Sequence, residues 1–348
     1  MRRQLSHCLL FATILAPLAP LALSSGTAQA SAALPIFKAD STQTSISGLS
    51  SGAFMAVQYQ VAFSNSVKGA GVVAGGPYYC AGTLGYSAAA ICMGMVPFMP
   101  PNPALTLAAA QEFAASRQID PLAGLQDDRI YVYSGTNDTV VYQQAVDATV
   151  DFFKLAGVPP QQIKYVNKMP SGHALITPKY GNACAANAAP YISHCSVKGR
   201  GYDQAGDLLA HIYGPLNAPA ATPSGQIMTF SQREFANAGS GMAEDGYVYV
   251  PKSCAADSST CKVHIALHGC EQSVAVVGND FYSDTGYNNW ADSNRFLILY
   301  PQVNASTTPY NPKGCWDWVG YTGPAYATKA GVQVTAIKAM VDRLTAKP

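Results

Sequence analysis

Charged residues are scarce in this chain: Asp, Glu, Lys and Arg make up 12% of its 348 residues, about half the share of an ordinary soluble domain. The 21 basic and 20 acidic side chains nearly cancel. There is therefore no concentrated positive field of the kind a nucleic acid or another polyanion requires, and no nucleic-acid partner is expected. Beyond residue 30 no apolar run is long enough to span a bilayer, so no membrane partner is expected either. The chain also lacks a Cys-x-x-Cys pair, the commonest sequence sign of a structural zinc site; no metal and no cofactor are expected. No internal repeat and no long linker divides it. What the chain has in quantity is 49% hydrophobic and 10% aromatic residues, enough to bury a large core.

The first thirty residues read as a signal peptide. Arg2 and Arg3 are followed by an apolar run from Cys8 to Leu23 and by Ala28-Gln29-Ala30, a small-x-small cleavage signal. Pro17 and Pro20 interrupt the run and argue against a membrane anchor. The expectation is a secreted protein, extracellular or periplasmic, with one catalytic domain over residues 31–348. Removing the leader leaves 19 basic against 20 acidic residues, a formal charge of −1, and eight cysteines. An even number in an exported chain reads as disulfides, although eight cysteines allow 105 pairings. Proximity along the chain suggests Cys80–Cys92, Cys184–Cys195 and Cys254–Cys261, which leaves Cys270 for Cys315.

Short β-branched or aromatic runs bounded by turn residues predict strands at 44–48, 69–75, 129–135, 163–166, 246–251, 263–269 and 296–301. Helical patterns fall between them at 53–62, 105–116, 142–155, 206–213, 287–294 and 331–344. Such alternation predicts an α/β fold, with a mostly parallel sheet covered by helices on both faces.

The strongest chemical signal is Gly48-Leu49-Ser50-Ser51-Gly52, with a strand before it and a helix after it. In that context G-x-S-x-G is a nucleophile elbow: Ser50 stands at the carboxyl edge of the sheet and the Ser51 N–H faces a developing oxyanion. A nucleophilic serine needs a base and an orienting acid, which in this arrangement follow in the order acid, then histidine. Asp138 lies in the loop after the 129–135 strand, and His173 in the loop after the 163–166 strand, where Gly172 supplies freedom. Asp127 and Asp128 precede their strand, while Asp147 and Asp151 fall on a helix. His211 lies in a helical stretch, His194 beside Cys195, His264 inside a strand, and His268 in a His-Gly segment of the kind that contributes an oxyanion donor. Trp316 and Trp318 alternate, so on an extended segment they would share a face, either toward a cleft or packed into the core, the latter above all for Trp316.

In an ordinary α/β-hydrolase the His-Gly segment precedes the elbow, whereas here His268-Gly269 follows Ser50 by more than 200 residues. Reading from residue 246 to the end and then from 36 to about 215 restores the usual order, as a circular permutation would. With that order the sequence resembles the single-domain, circularly permuted fungal-type extracellular poly(3-hydroxybutyrate) depolymerases of the α/β-hydrolase superfamily. The residues that carry the resemblance are 47–52, 74–78, 135–140 around Asp138, 190–193, 246–251, 266–270, 285–290 and Gly314-Cys-Trp-Asp-Trp-Val-Gly320. The resemblance implies a Ser50–His173–Asp138 triad, an oxyanion hole from the Ser51 and Cys270 backbone N–H groups, and Trp318 at the substrate. It also implies a monomer acting on water-insoluble polyester and hydroxybutyrate oligomers through an acyl-enzyme. The alternatives are a feruloyl or acetyl esterase of plant polysaccharide and a non-enzymatic polymer-binding protein.

Overall fold

The computed structural model describes residues 31–347; the expected leader at 1–30 lies outside the described residues. Its centre is an eight-stranded sheet built from β1 (Thr44–Leu49), β2 (Gly69–Val73), β3 (Arg129–Gly135), β4 (Ile163–Met169), β5 (Gln226–Ser231), β6 (Asp245–Val250), β7 (Lys262–Leu267) and β8 (Phe296–Tyr300). The spatial order is β5-β6-β8-β7-β1-β2-β3-β4. From β8 through β4 every pairing is parallel; β6 runs antiparallel to both β5 and β8. The seven expected strands are all present. β5, which the sequence pattern did not show, completes the edge.

Helices α1 (Ser51–Ala62), α2 (Pro103–Ala115), α3 (Gln143–Leu155), α4 (Gln204–Tyr213), α5 (Tyr287–Asn294) and α6 (Val332–Thr345) cover the sheet. α4 and α5 pack together over one face, and α1 with α6 and α2 with α3 over the other. No helix among the described residues is long and apolar enough to cross a membrane.

β1 carries the elbow and is fully buried although two of its six residues are serines. Period-2 alternation turns Ser45 and Ser47 to the same face, where they meet the ring nitrogens of His264 at 2.6 and 2.8 Å. The Tyr213 hydroxyl from α4 bonds Ser45 and the Tyr287 hydroxyl from α5 bonds Ser47. Burial pushes the His264 pKa down to about 3, so the ring is neutral. This cluster holds no carboxylate, and Ser45, Ser47 and His264 are each 0% exposed. It is a satisfied polar knot in the core, not a place where substrate could react.

Candidate active site

β1 ends at Leu49 and α1 begins at Ser51, so Ser50 makes the whole turn between them. Its φ is 57° and its ψ −123°, a left-handed conformation that costs a non-glycine residue about 1–3 kcal/mol. The surroundings hold it there: the Ser50 N–H donates to the Val73 carbonyl at 3.0 Å, and its own carbonyl accepts from Ala53 and Phe54. The Ser50 hydroxyl makes no capping bond to α1 and is left for chemistry. The motif glycines act through contact, not torsion, since neither has a left-handed φ. A Cβ on Gly48 would lie 2.3 Å from the Gly52 carbonyl, and one on Gly52 2.4 Å from the His268 carbonyl oxygen.

Asp138 and His173 come from the loops after the neighbouring strands β3 and β4. Asp138 Oδ1 accepts from the Val140 and Val141 N–H groups at 2.8 and 2.9 Å. Its Oδ2 pairs with His173 Nδ1 at 2.8 Å, and both residues are buried, at 6% and 3% exposure. A carboxylate can only accept, so Nδ1 carries the proton and Nε2 is the basic nitrogen. Gly172 serves differently from the torsional role expected of it: its φ is not left-handed, but a Cβ there would meet the Ala186 carbonyl oxygen at 2.2 Å.

The His-Gly segment lies against the elbow. A Cβ on Gly269 would be 3.3 Å from that of Ser50. The Val303 N–H donates to His268 Nε2 at 3.0 Å, so the proton sits on Nδ1, which donates to the Gly269 carbonyl at 2.6 Å. Burial lowers the His268 pKa to about 4. Gln272, fully buried, accepts from the Gly269 N–H and donates to the Pro190 carbonyl. Ser51 opens α1, so its N–H has no intrahelical acceptor. The Cys270 N–H makes no hydrogen bond among the described residues. All four expected cysteine pairs are bonded, and Cys270–Cys315 ties this segment to the tryptophan loop.

The two tryptophans part company. Trp318 stacks on Phe54 of α1 at 4.6 Å, in a small cluster with Ala81, Ala88 and Cys92. Trp316 belongs to the main core at 0% exposure, beside the His268 ring. The expectation that Trp316 meets substrate is therefore corrected: it is a core residue. The cause is Asp317, whose carboxylate accepts from the Val319, Gly320, Tyr321 and Thr322 N–H groups and bends the segment that alternation assumed to be extended. Gln272, which reaches Pro190, and Asn187, whose amide reaches both the Asp138 and His173 loops, carried no sequence signal; each acts across a distance that only folding closes.

The remaining candidates lie elsewhere. His211 bonds the Gln162 carbonyl, and burial lowers its pKa; His194 is exposed on a short strand. Asp128 sits at the opposite, amino edge of the sheet, in a groove of about 530 Å³ with Lys68, Lys338 and Asp342. Beside the oxyanion segment a smaller cavity of about 380 Å³ is lined by Tyr191, Glu271, Val276, Pro312 and Lys313, and the Tyr191 ring stands edge-on to His173 at 6.0 Å.

A left-handed serine at the carboxyl edge, a paired imidazole and carboxylate on the adjoining loops, and unspent N–H groups nearby have the geometry of a serine hydrolase. No protein-family model matches the chain. It is 38% identical over 338 residues to a polyhydroxybutyrate depolymerase of Talaromyces funiculosus, with 92% of this chain and 94% of the relative aligned. It is 43% identical over 324 residues to a poly(3-hydroxybutyrate) depolymerase of Delftia acidovorans, with 92% of this chain aligned; the chain spans 63% of that relative's length. The solved PHB depolymerase of Penicillium funiculosum superposes with a TM-score of 0.81 at 36% identity, covering 90% of this chain and 98% of that one. A serine-to-alanine PHB depolymerase complexed with an R3HB trimer superposes equally well. The chain belongs to the polyhydroxybutyrate depolymerase family.

Proposed function

We propose that this chain is a secreted serine esterase that hydrolyses poly(3-hydroxybutyrate) and its oligomers. The observation that carries the reading is the 2.8 Å Asp138–His173 pair in the loops beside the left-handed Ser50, in a chain of this family. Ser50 Oγ attacks the ester carbonyl while His173 Nε2 takes its proton and passes it to the departing hydroxyl. Asp138 holds the imidazole in the tautomer that makes Nε2 the base. The Ser51 and Cys270 N–H groups receive the oxyanion. Water, activated by the same imidazole, then releases the acyl group.

The substrate assignment is supported by the wall beside the elbow. From Gly69 to Gln111 the sequence contains no Asp, Glu, Lys, Arg or His. Ala81, Ala88 and Cys92 of this stretch pack with Trp318, and Leu84, Met95, Phe98, Met99 and Leu105 are exposed, Phe98 fully. An uncharged, apolar rim loses little hydration against an uncharged solid. Trp318 contacts substrate where this rim meets the cleft.

A circularly permuted α/β-hydrolase fold is part of the same reading. Numbered from β5 to the end of the chain and then from β1, the strands lie in the spatial order 1-2-4-3-5-6-7-8, with a single exchange. The joined ends would meet: Phe37 and Ala39 both donate to the Leu344 carbonyl. In this reading the permuted order starts with β5, at Gln226, and so takes in one strand more than an order started at residue 246. One continuous sheet supports a single catalytic domain after a leader at 1–30, and the four disulfides support export. The protein acts as a monomer, without cofactor.

The experiment is product analysis on poly(3-hydroxybutyrate) film with wild type and Ser50→Ala, together with feruloyl and acetyl esters. Release of hydroxybutyrate oligomers by wild type alone is expected. Film left intact while the aryl or acetyl esters are cleaved would replace the substrate, and a film-active Ser50→Ala would sink the mechanism.

A further inference from the structure

Asn187 lies between Cys184 and Cys195, a segment closed by its own disulfide. Its carboxamide makes four hydrogen bonds. Oδ1 accepts from the main-chain N–H of His173 at 2.8 Å and of Thr139 at 3.1 Å. Nδ2 donates to the carbonyls of Asn137 at 3.0 Å and Ala185 at 3.3 Å. Donors face only the oxygen and acceptors only the nitrogen, so the amide can sit one way round.

These partners are not scattered. The Asn137 carbonyl belongs to the peptide bond entering Asp138, and the Thr139 N–H to the one leaving it. A single side chain therefore grips both peptide groups that flank the acid, and the amide of the residue that carries the imidazole. Other hydrogen bonds between the two loops run from Thr136 and Asn137 to Met169, Pro170 and Ser171. Apart from the Asp138–His173 pair itself, Asn187 is the tie among the described residues that reaches the two functional positions. The segment is pressed home by Gly172, whose N–H donates to the Cys184 carbonyl and whose missing Cβ leaves room for Ala186.

We propose that Asn187 is a positioning residue that sets the distance and angle between the Asp138 carboxylate and the His173 imidazole. The proposal rests on the esterase reading above. It follows from the chemistry of the group: aspartate has no donor for Asn137, leucine has neither donor nor acceptor, and glutamine is one methylene too long. An error of about 1 Å in such a pair costs on the order of 100-fold in rate while leaving substrate contacts alone.

The test uses the full mature chain as wild type, Asn187→Leu and Asn187→Asp. Active sites are counted with a fluorophosphonate, and kcat and KM are measured on soluble hydroxybutyrate trimer, with thermal midpoints alongside. The expected result is a kcat per titrated site about 10- to 100-fold lower in Asn187→Leu with KM within about twofold. Asn187→Asp, which keeps the acceptor oxygen, should fall between. A kcat per site unchanged in both variants, or a loss matched by KM, would overturn the proposal. If Asn187→Leu does not fold, the near-isosteric Asn187→Asp decides alone: a kcat at the wild-type level overturns it. Wild type inert toward the trimer would remove the esterase reading and this inference together; active wild type with unaffected variants removes only the inference.

Discussion

Replacing Gly52 by alanine tests the oxyanion geometry through packing alone. The new Cβ would lie 2.4 Å from the His268 carbonyl oxygen, 2.5 Å from that of Leu267 and 2.9 Å from the Leu267 carbonyl carbon. All three are main-chain atoms and cannot rotate away. Ordinary contact begins at 3.4 Å, so α1 and the segment after β7 must separate by 3.4 − 2.4, about 1 Å. One of these elements carries the Ser51 N–H and the other the Cys270 N–H. A hydrogen bond lengthened from about 2.9 to about 3.9 Å is lost, and loss of one oxyanion donor costs about 10²- to 10³-fold in kcat. The overpacking itself should cost about 1–3 kcal/mol of stability. Kinetics on soluble trimer, normalised to fluorophosphonate-reactive sites, and a thermal scan measure both. An alanine variant with wild-type kcat would refute the idea that these two elements share the hole, whatever its thermal midpoint.

Asp138→Asn should lower kcat by about 10³- to 10⁴-fold with little change in stability. Its carbonyl would still serve Val140 and Val141, but its NH₂ would face Nδ1 and drive the imidazole proton onto Nε2; a proton-inventoried pH–rate profile of the variant checks this. Removing the Cys270–Cys315 bridge as a double serine variant opens a loop of sequence separation 45 and should cost about 4 kcal/mol in denaturant melts. It should also slow the trimer reaction, since it frees the oxyanion segment. His264 and His268 have folded pKa values depressed by burial to about 3 and about 4. Their contribution is complete above the unfolded value near 6.5 and is lost as the pH falls toward 4, because unfolding then takes up two protons. Stability should drop by up to about 2.7 kcal/mol per pH unit in that window, and a flat profile between pH 6.5 and 4.5 would contradict the buried, neutral assignments.

The central strands could be read from sequence because short, apolar, turn-bounded runs leave a parallel strand few other states. β5 could not: Gln226–Ser231 is half polar and pairs only with β6 at the sheet edge, so burial had not selected its side chains. The triad candidates were legible because the elbow, the post-strand loops and their order along the chain are local features. Asn187 was not, since it joins positions 14 and roughly 50 residues away that meet only when three loops converge. Trp316 was misplaced for a related reason. Alternation assumes an extended backbone, and the carboxylate of the very next residue, Asp317, gathers four N–H groups and bends it.

The contact between residues 34–39 and the end of α6 has a practical side. Leu34 accepts from Arg343, and Phe37 and Ala39 donate to Leu344, all near Thr44, where β1 begins. Ser50 lies past the other end of the same strand, about 20 Å away along the sheet. A tether fused beyond the carboxyl end of α6 would therefore leave from the floor of the molecule, whereas Ser31, bonded to Asp245, lies at the same edge as the cleft. A surface coated with such copies would hold each one upright, its apolar rim and cleft turned outward to any film laid upon it.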